Sequence, residues 1–88
     1  MVSEPQPDET IIEGLQRLVD EARQLTDREA LAEPVAVDAP LAAVIDSMSL
    51  ATLIVLVEEE WGIEFADEEI DPEHFATVGA LAALLTRR

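Results

Sequence analysis

Hydrophobic side chains recur at helical spacing in three parts of the chain. In the first part, apolar positions three and four residues apart predict an amphipathic helix that starts near Asp8. Its inward stripe is Ile11, Leu15, Leu18, Ala22 and Leu25, widened by Ile12 and Val19. A second apolar stripe predicts a helix over residues 47–61, which ends where Gly62 can adopt a left-handed conformation. That stripe is Leu50, Leu53, Ile54, Val57 and Trp61.

The third helical pattern follows Thr77, a residue type that commonly caps a helix start. Its apolar positions are Val78, Leu81, Ala82, Leu84 and Leu85. Asp67 and Asp71 have the position of N-caps, and they predict one or two short helical turns before this last helix. No segment alternates with the period of two that a strand requires. The pattern therefore predicts an all-α fold.

The segments between these helices contain prolines and few apolar residues. Residues 1–7, MVSEPQP, have two prolines and nothing to bury, so we expect a disordered leader followed by one domain over residues 8–88. Residues 33–40, EPVAVDAP, predict a connection that runs on to Asp46 and is held to the core by its apolar side chains. Thr26 and Glu29 have capping-box spacing, so residues 26–33 either form an extra turn or continue the first helix.

Charge and cysteine content narrow the possible functions. The chain has 20 acidic and five basic residues, with a net charge of −15 and no lysine, which argues against a nucleic-acid partner and favours partners with basic surfaces. It has no cysteine, so any thiol chemistry must come from a cofactor. Since the amino terminus is acidic and no apolar run spans a bilayer, we expect a cytoplasmic protein without membrane insertion.

No resident metal site is expected, although acidic residues cluster between positions 67 and 73. Counted from Asp67, the sixth and twelfth positions of an EF-hand loop hold Pro72 and Val78 instead of glycine and glutamate.

Asp46 and Ser47 stand at the start of the second helix and admit two interpretations. Both residue types accept hydrogen bonds from free N–H groups, so the pair can be a helix cap. A hydroxyl at a helix start is also a good attachment point for a phosphate group, because free N–H groups favour the added negative charge. Asp46 could then help to ligate the Mg²⁺ that a phosphate-transferring enzyme brings. The two roles are compatible.

Three segments in register resemble the acyl and peptidyl carrier proteins. Asp46-Ser47-Met48 resembles the Asp-Ser-Leu signature of the family, and EEEWGIEF at residues 58–65 and DEEIDPEHFATVGAL at residues 67–81 resemble its later helical segments. The chain departs from the usual pattern in having Val44 and Ile45 before the Asp-Ser pair. It also has Ser49 and Thr52 where fatty-acid carriers often have acids, which disfavours a housekeeping fatty-acid role.

The resemblance implies an antiparallel bundle of three main helices and a function as a carrier rather than an enzyme, with no catalytic residue. A phosphopantetheinyl transferase would attach 4′-phosphopantetheine from CoA to Ser47, beside Asp46. A separate acyl or aminoacyl ligase or an acyltransferase would load the arm as a thioester for downstream enzymes, in a polyketide or nonribosomal-peptide type of natural-product pathway. Alternatives within the family are a D-alanyl carrier and a fatty-acid synthase carrier; an unmodified acidic helical adaptor represents a different class.

The second helix should present the partner-binding surface. Residues three and four apart share one outward side of this helix, and we expect them to contact partner enzymes of a monomeric carrier. These residues are Met48, Ala51, Thr52, Val55, Glu58 and Glu59.

Overall fold

The structure, a computed structural model, describes residues 9–29 and 31–87 as a helical domain. The three α-helices are α1 (Glu9–Leu25), α2 (Ser47–Trp61) and α3 (Val78–Arg87). Two 3₁₀ helices, Leu41–Ala43 and Asp67–Glu69, lie in the connections. These residues contain no strand, which confirms the all-α prediction. The predicted leader, residues 1–7, lies outside the described residues.

Helix α1 packs against both of the other helices and runs antiparallel to α2. Gly14 near the start of α1 meets Trp61 at the end of α2, while Thr26 just after α1 contacts Ser49 at the start of α2. A Cβ on Gly14 would lie 3.2 Å from two ring carbons of Trp61, so the missing side chain lets the two helices approach. The helices enclose a core without any charged side chain: Leu15, Leu18, Val19, Ala22, Leu53, Val57, Val78, Leu81, Ala82 and Leu84.

The end of α1 differs from both alternatives that its sequence left open. Asp27 adopts a left-handed conformation with φ of 64°, and the N–H groups of Asp27 and Arg28 donate back to the carbonyls of Gln24 and Arg23. This Schellman pattern closes the helix, so residues 26–33 neither continue α1 nor form another helical turn within the described part. The prediction that Leu25 points inward is wrong, because its side chain is 62% exposed at this last turn.

The long connection between α1 and α2 is held to the core, as its apolar residues predicted. Val35, Leu41 and Ile45 are buried, and the Gln16 side chain donates to the Val35 carbonyl. Val37 is 39% exposed, but its carbonyl accepts a hydrogen bond from the N–H of Gly79 at the start of α3. The entry to α2 is therefore tied to α1 and α3.

Residues 62–77 form a second irregular connection. Gly62 ends α2 with φ of 63°, as predicted, and Phe65 and Phe75 pack edge to face with ring centroids 5.4 Å apart. The Asp71 carboxylate accepts from the His74 N–H at 2.8 Å, as a cap would, but residues 72–75 form a turn and not a helix, so the N-cap prediction for Asp71 holds only for its hydrogen bond. The N-cap prediction for Asp67 is wrong: Asp67 is the first residue of its 3₁₀ helix, and Ala66 precedes it.

Candidate functional site

The Asp46 carboxylate caps the first turn of α2. Its Oδ1 atom accepts a hydrogen bond from the Ser49 backbone N–H at 2.8 Å, while the Asp46 backbone is extended. A short acidic side chain in this position satisfies one of the N–H groups that a helix start leaves free. The capping interpretation of Asp46 is therefore confirmed, and the cap determines where α2 begins.

Arg28 contacts the other oxygen of the same carboxylate. Its Nη1 atom lies 2.7 Å from Asp46 Oδ2, and both side chains are about half exposed. The Ser49 backbone hydrogen bond, followed by the Arg28 charge, lowers the pKa of Asp46 below its ordinary value despite an opposing desolvation effect. Asp46 is therefore held as an anion between the end of α1 and the start of α2.

Ser47 and Ser49 occupy different environments in the first turn of α2. Ser47 is the first residue of the helix and is exposed. Ser49 is fully buried, and its hydroxyl oxygen lies 2.7 Å from that of Thr26. An enzyme that modifies a serine hydroxyl needs access to it, so the fold favours Ser47 over Ser49 as an acceptor.

Arg23 fixes the backbone that leads into this turn. Its guanidinium donates to the carbonyl of Glu29 at 3.1 Å and to the carbonyl of Val44, two residues before Asp46. The side chain thus connects the last turn of α1 to both ends of the loop that precedes the site.

An apolar groove of about 720 Å³ opens beside Ser47. It is bounded by the first 3₁₀ helix, the start of α2 and the turn at residues 70–76. Leu50, Ile70, Pro72 and Phe75 contribute to its apolar lining. The volume is in the range of small-molecule sites.

The residues predicted to contact partners share one side of α2 but differ in exposure. Met48 is 71% exposed and Val55 is 50% exposed, while Ala51 and Glu59 are also exposed. Thr52 is half-buried, and its hydroxyl donates to the Met48 carbonyl within the helix. This surface is therefore mainly apolar near Ser47 and acidic about three turns further along the helix.

Glu58 has a structural contact that its sequence position does not reveal. Its Oε2 atom accepts the Phe65 backbone N–H at 2.9 Å, and the residue is half-buried. The carboxylate therefore ties the end of α2 to the loop that follows. Glu59, by contrast, is exposed on the next position of the helix.

Sequence reasoning missed Arg28 and Thr26 as members of this site. Both lie in a segment whose structure the pattern left undecided, about 20 residues before Asp46. One signal in the sequence could have pointed to Arg28. The chain has only five basic residues, all arginines, against 20 acidic ones, so a contact with an acidic side chain could have been expected for each arginine.

Neither a metal centre nor a membrane span is present in the part of the chain described. No group of three histidine or acidic side chains within residues 9–29 and 31–87 is arranged to hold a metal ion. None of the helices in these ranges has both the length and the hydrophobicity that a bilayer crossing requires.

The geometry fits a phosphate-linked group on a serine. An exposed hydroxyl lies at a helix start, where free N–H groups favour a phosphate, and an apolar groove adjoins it. When attached, 4′-phosphopantetheine supplies a terminal thiol that can hold an acyl group as a thioester.

Two of three comparisons with known proteins agree with this geometry. No curated protein matches the chain. A similar solved structure is a chain from the crystal structure of a Bradyrhizobium japonicum glycine:carrier protein ligase complexed with glycylated carrier protein, at 29% identity and a TM-score of 0.64. The match covers 81% of this chain and 97% of that chain. The family model described as the phosphopantetheine attachment site matches residues 16–85, so the protein belongs to the family of phosphopantetheine-binding carrier proteins.

Proposed function

We propose that this protein is a discrete acyl or aminoacyl carrier whose phosphopantetheine arm is attached to Ser47. The observation that carries the proposal is the contrast within one helical turn, in which Ser47 is exposed and Ser49 is buried against Thr26. The chain contains one further serine, Ser3, which lies far from the family signature in sequence.

In this proposal, the protein presents a reactive group and does not itself catalyse a reaction. The Ser47 Oγ attacks the pantetheine-side phosphorus of the CoA pyrophosphate on a phosphopantetheinyl transferase, and a base of that enzyme takes the hydroxyl proton. The phosphodiester forms as the P–O bond of the pyrophosphate breaks and adenosine 3′,5′-bisphosphate leaves. Asp46 keeps the first turn of α2 in place, so that the Ser47 hydroxyl is presented to the enzyme at a fixed position. Because the reaction consumes CoA, the proposal includes a cytoplasmic location.

A separate ligase is the loading partner that the comparison favours. The similar solved chain comes from a complex of a glycine ligase with a glycylated carrier, and the exposed Met48 and Val55 give this chain an apolar contact surface beside Ser47. The groove next to Ser47 adds room for the apolar part of a cargo. We place the carrier in a natural-product pathway of the polyketide or nonribosomal-peptide type, served by enzymes with basic docking surfaces.

Two other carrier roles and one non-carrier role are distinguished by experiment. A D-alanyl carrier would be loaded by a D-alanine ligase, and a fatty-acid carrier by a malonyl transferase. An unmodified adaptor would take up no arm at all. The adaptor is disfavoured by the family match over residues 16–85.

The test of attachment is the intact mass after incubation with CoA and a promiscuous phosphopantetheinyl transferase. The wild type and Ser49→Ala should gain the mass of one arm, and Ser47→Ala should gain none while its circular dichroism remains helical. Modification of Ser47→Ala would show that another residue carries the arm.

The test of cargo uses the holo-protein with amino-acid ligases, a D-alanine ligase and a malonyl transferase. Preferred loading by an amino-acid ligase supports the aminoacyl role. Preferred loading by the D-alanine ligase or by the malonyl transferase would replace the natural-product assignment with the corresponding alternative.

A further inference from the structure

We propose that Arg28 is the counter-ion of the phosphodiester at Ser47 and positions the base of the arm. The inference rests on the proposed attachment to Ser47, and it concerns a residue from the loop after α1. Arg28 lies outside the family signature at residues 46–48, and its role comes from the three-dimensional contact with Asp46.

The first support is the position of the Arg28 charge. Arg28 Nη1 lies 2.7 Å from Asp46 Oδ2, and Asp46 is bonded directly to Ser47 through the chain. A phosphodiester on Ser47 therefore forms next to a carboxylate that already has an arginine beside it. A guanidinium can pair with two anions at once, because its five N–H groups point in several directions within one plane.

The second support is that the Arg28 backbone is fixed. Its N–H donates to the Arg23 carbonyl at 2.8 Å, and the left-handed Asp27 turns the chain at the residue before it. Among the described residues, the guanidinium makes one hydrogen bond, through Nη1, so other donors remain for a phosphate oxygen. An arginine with a fixed backbone and unused N–H donors is better suited to bind a second acceptor than a mobile arginine is.

The third support is that the nearby arginines have other contacts. Arg17 pairs with Glu60 at 3.3 Å near the opposite end of α2, and Arg23 donates to two backbone carbonyls. Within the described chain, Arg28 is thus the arginine that contacts a neighbour of Ser47. Attachment of the arm adds a negative charge to a protein of net charge −15, directly beside an anionic Asp46. Arg28 offsets this local repulsion.

The consequence is a defined starting direction for the arm. A phosphodiester paired with Arg28 is drawn towards the end of α1, whereas an unpaired one is repelled by Asp46 and moves freely in solvent. Arg28 is therefore a positioning residue: it acts on the arm through the phosphate and does not touch the thioester.

The experiment compares apo- and holo-forms of the wild type, Arg28→Gln and Arg17→Gln. Both substitutions remove one positive charge from a partly exposed ion pair, but Arg28 contacts Asp46, the residue before Ser47, whereas Arg17 contacts Glu60, so Arg17→Gln is a charge-matched control. The melting temperature of each form is measured at low salt, together with the ³¹P resonance of the arm and the Nε–H resonances of the arginines.

We expect attachment of the arm to lower the melting temperature of Arg28→Gln by roughly 2–4 °C more than that of the wild type or Arg17→Gln. The Nε–H resonance of Arg28 should shift on attachment in the wild type, and the ³¹P resonance should differ in Arg28→Gln alone. Arg28→Lys should restore the melting behaviour in part, because it keeps the charge without the planar donors.

The two proposals fail in distinguishable ways. An arm located on Ser47 by mass, with equal melting shifts in all three proteins and an unmoved Arg28 resonance, overturns the role of Arg28 alone. An arm found elsewhere, or no arm at all, overturns the proposed function and this inference with it.

Discussion

The hydroxyl oxygens of Thr26 and Ser49 lie 2.7 Å apart and join the end of α1 to the start of α2. Thr26 Oγ1 is also 2.9 Å from the Ala22 carbonyl, which can only accept, so the Thr26 hydroxyl donates there and the Ser49 hydroxyl donates to Thr26. Together with the Arg28–Asp46 pair, this contact anchors the turn that presents Ser47.

The Thr26–Ser49 contact should contribute measurably to stability. Thr26→Val and Ser49→Ala should each lower the free energy of unfolding by about 1–2 kcal/mol. Each substitution removes the hydrogen bond between the two hydroxyls and leaves the remaining hydroxyl without this partner. The double variant should lose less than the sum of the two. Urea unfolding gives all three values.

Thr52→Val is the matched control, since the Thr52 hydroxyl donates to the Met48 carbonyl within α2 and joins no two helices among the described residues. We expect this variant to stay within about 0.5 kcal/mol of the wild type. Strictly additive losses in the double variant would show that the two hydroxyls do not interact.

The Asp46 cap should make stability depend on acid pH. The folded state lowers the pKa of Asp46 through the Ser49 and Arg28 contacts, so this stabilisation is present above the ordinary pKa of an aspartate. It is lost as the pH falls through the lowered value. The stability difference between wild type and Asp46→Asn should therefore be constant near neutral pH and shrink below about pH 4. An unchanged difference across that acid range would refute an ionised cap.

Gly62 should resist substitution because of its backbone conformation. Gly62→Ala should cost about 1 kcal/mol, since φ is 63° and, among the residues that the structure describes, no atom lies within 4 Å of a new Cβ. Gly62→Asn should cost less, because asparagine tolerates this conformation. Equal losses for the two variants, measured by thermal or urea unfolding, would contradict a purely conformational origin.

Contacts with the loading enzyme should divide along α2 by their salt dependence. Met48→Ala and Val55→Ala should slow loading at every salt concentration, because they remove exposed apolar contact area. Glu59→Gln should slow loading mainly at low salt, because an exposed charge acts through screened attraction. Initial loading rates of the holo-protein across a salt series test both expectations.

Glu58 needs separate treatment in that experiment. Because its carboxylate accepts the Phe65 N–H, Glu58→Gln is preferable to Glu58→Ala, and the folded state must be checked by circular dichroism. Normal loading of the Met48 and Val55 variants would place the partner surface elsewhere.

The sequence predicted the features that depend on local chemistry. The bounds of α2 follow from the apolar spacing, from Asp46 as a cap and from Gly62 as a stop, and the structure agrees with all three. The all-α fold follows from the same periodicity. Each of these features is determined by residues within a few positions of one another.

Features that depend on long-range contact could not be predicted. Ser49 has a polar side chain and belongs to no apolar stripe. It is nevertheless fully buried, and its hydroxyl is hydrogen-bonded to that of Thr26. Arg28 lies next to Asp27, whose left-handed conformation ends α1, and aspartate is a weaker signal for that conformation than glycine. Glu58 is one of three consecutive acids, and only the loop after α2 distinguishes it from its neighbours.

The central claim is that the arm resides on Ser47, and peptide mapping of the modified wild type tests it most directly. Cleavage on the amino side of aspartates releases residues 46–66, which contain both Ser47 and Ser49. Fragmentation of this peptide should place the phosphopantetheine on Ser47 and leave Ser49 unmodified. An arm on Ser49, on Ser3 or on a threonine, or an unmodified protein after complete incubation with CoA and transferase, would contradict the account.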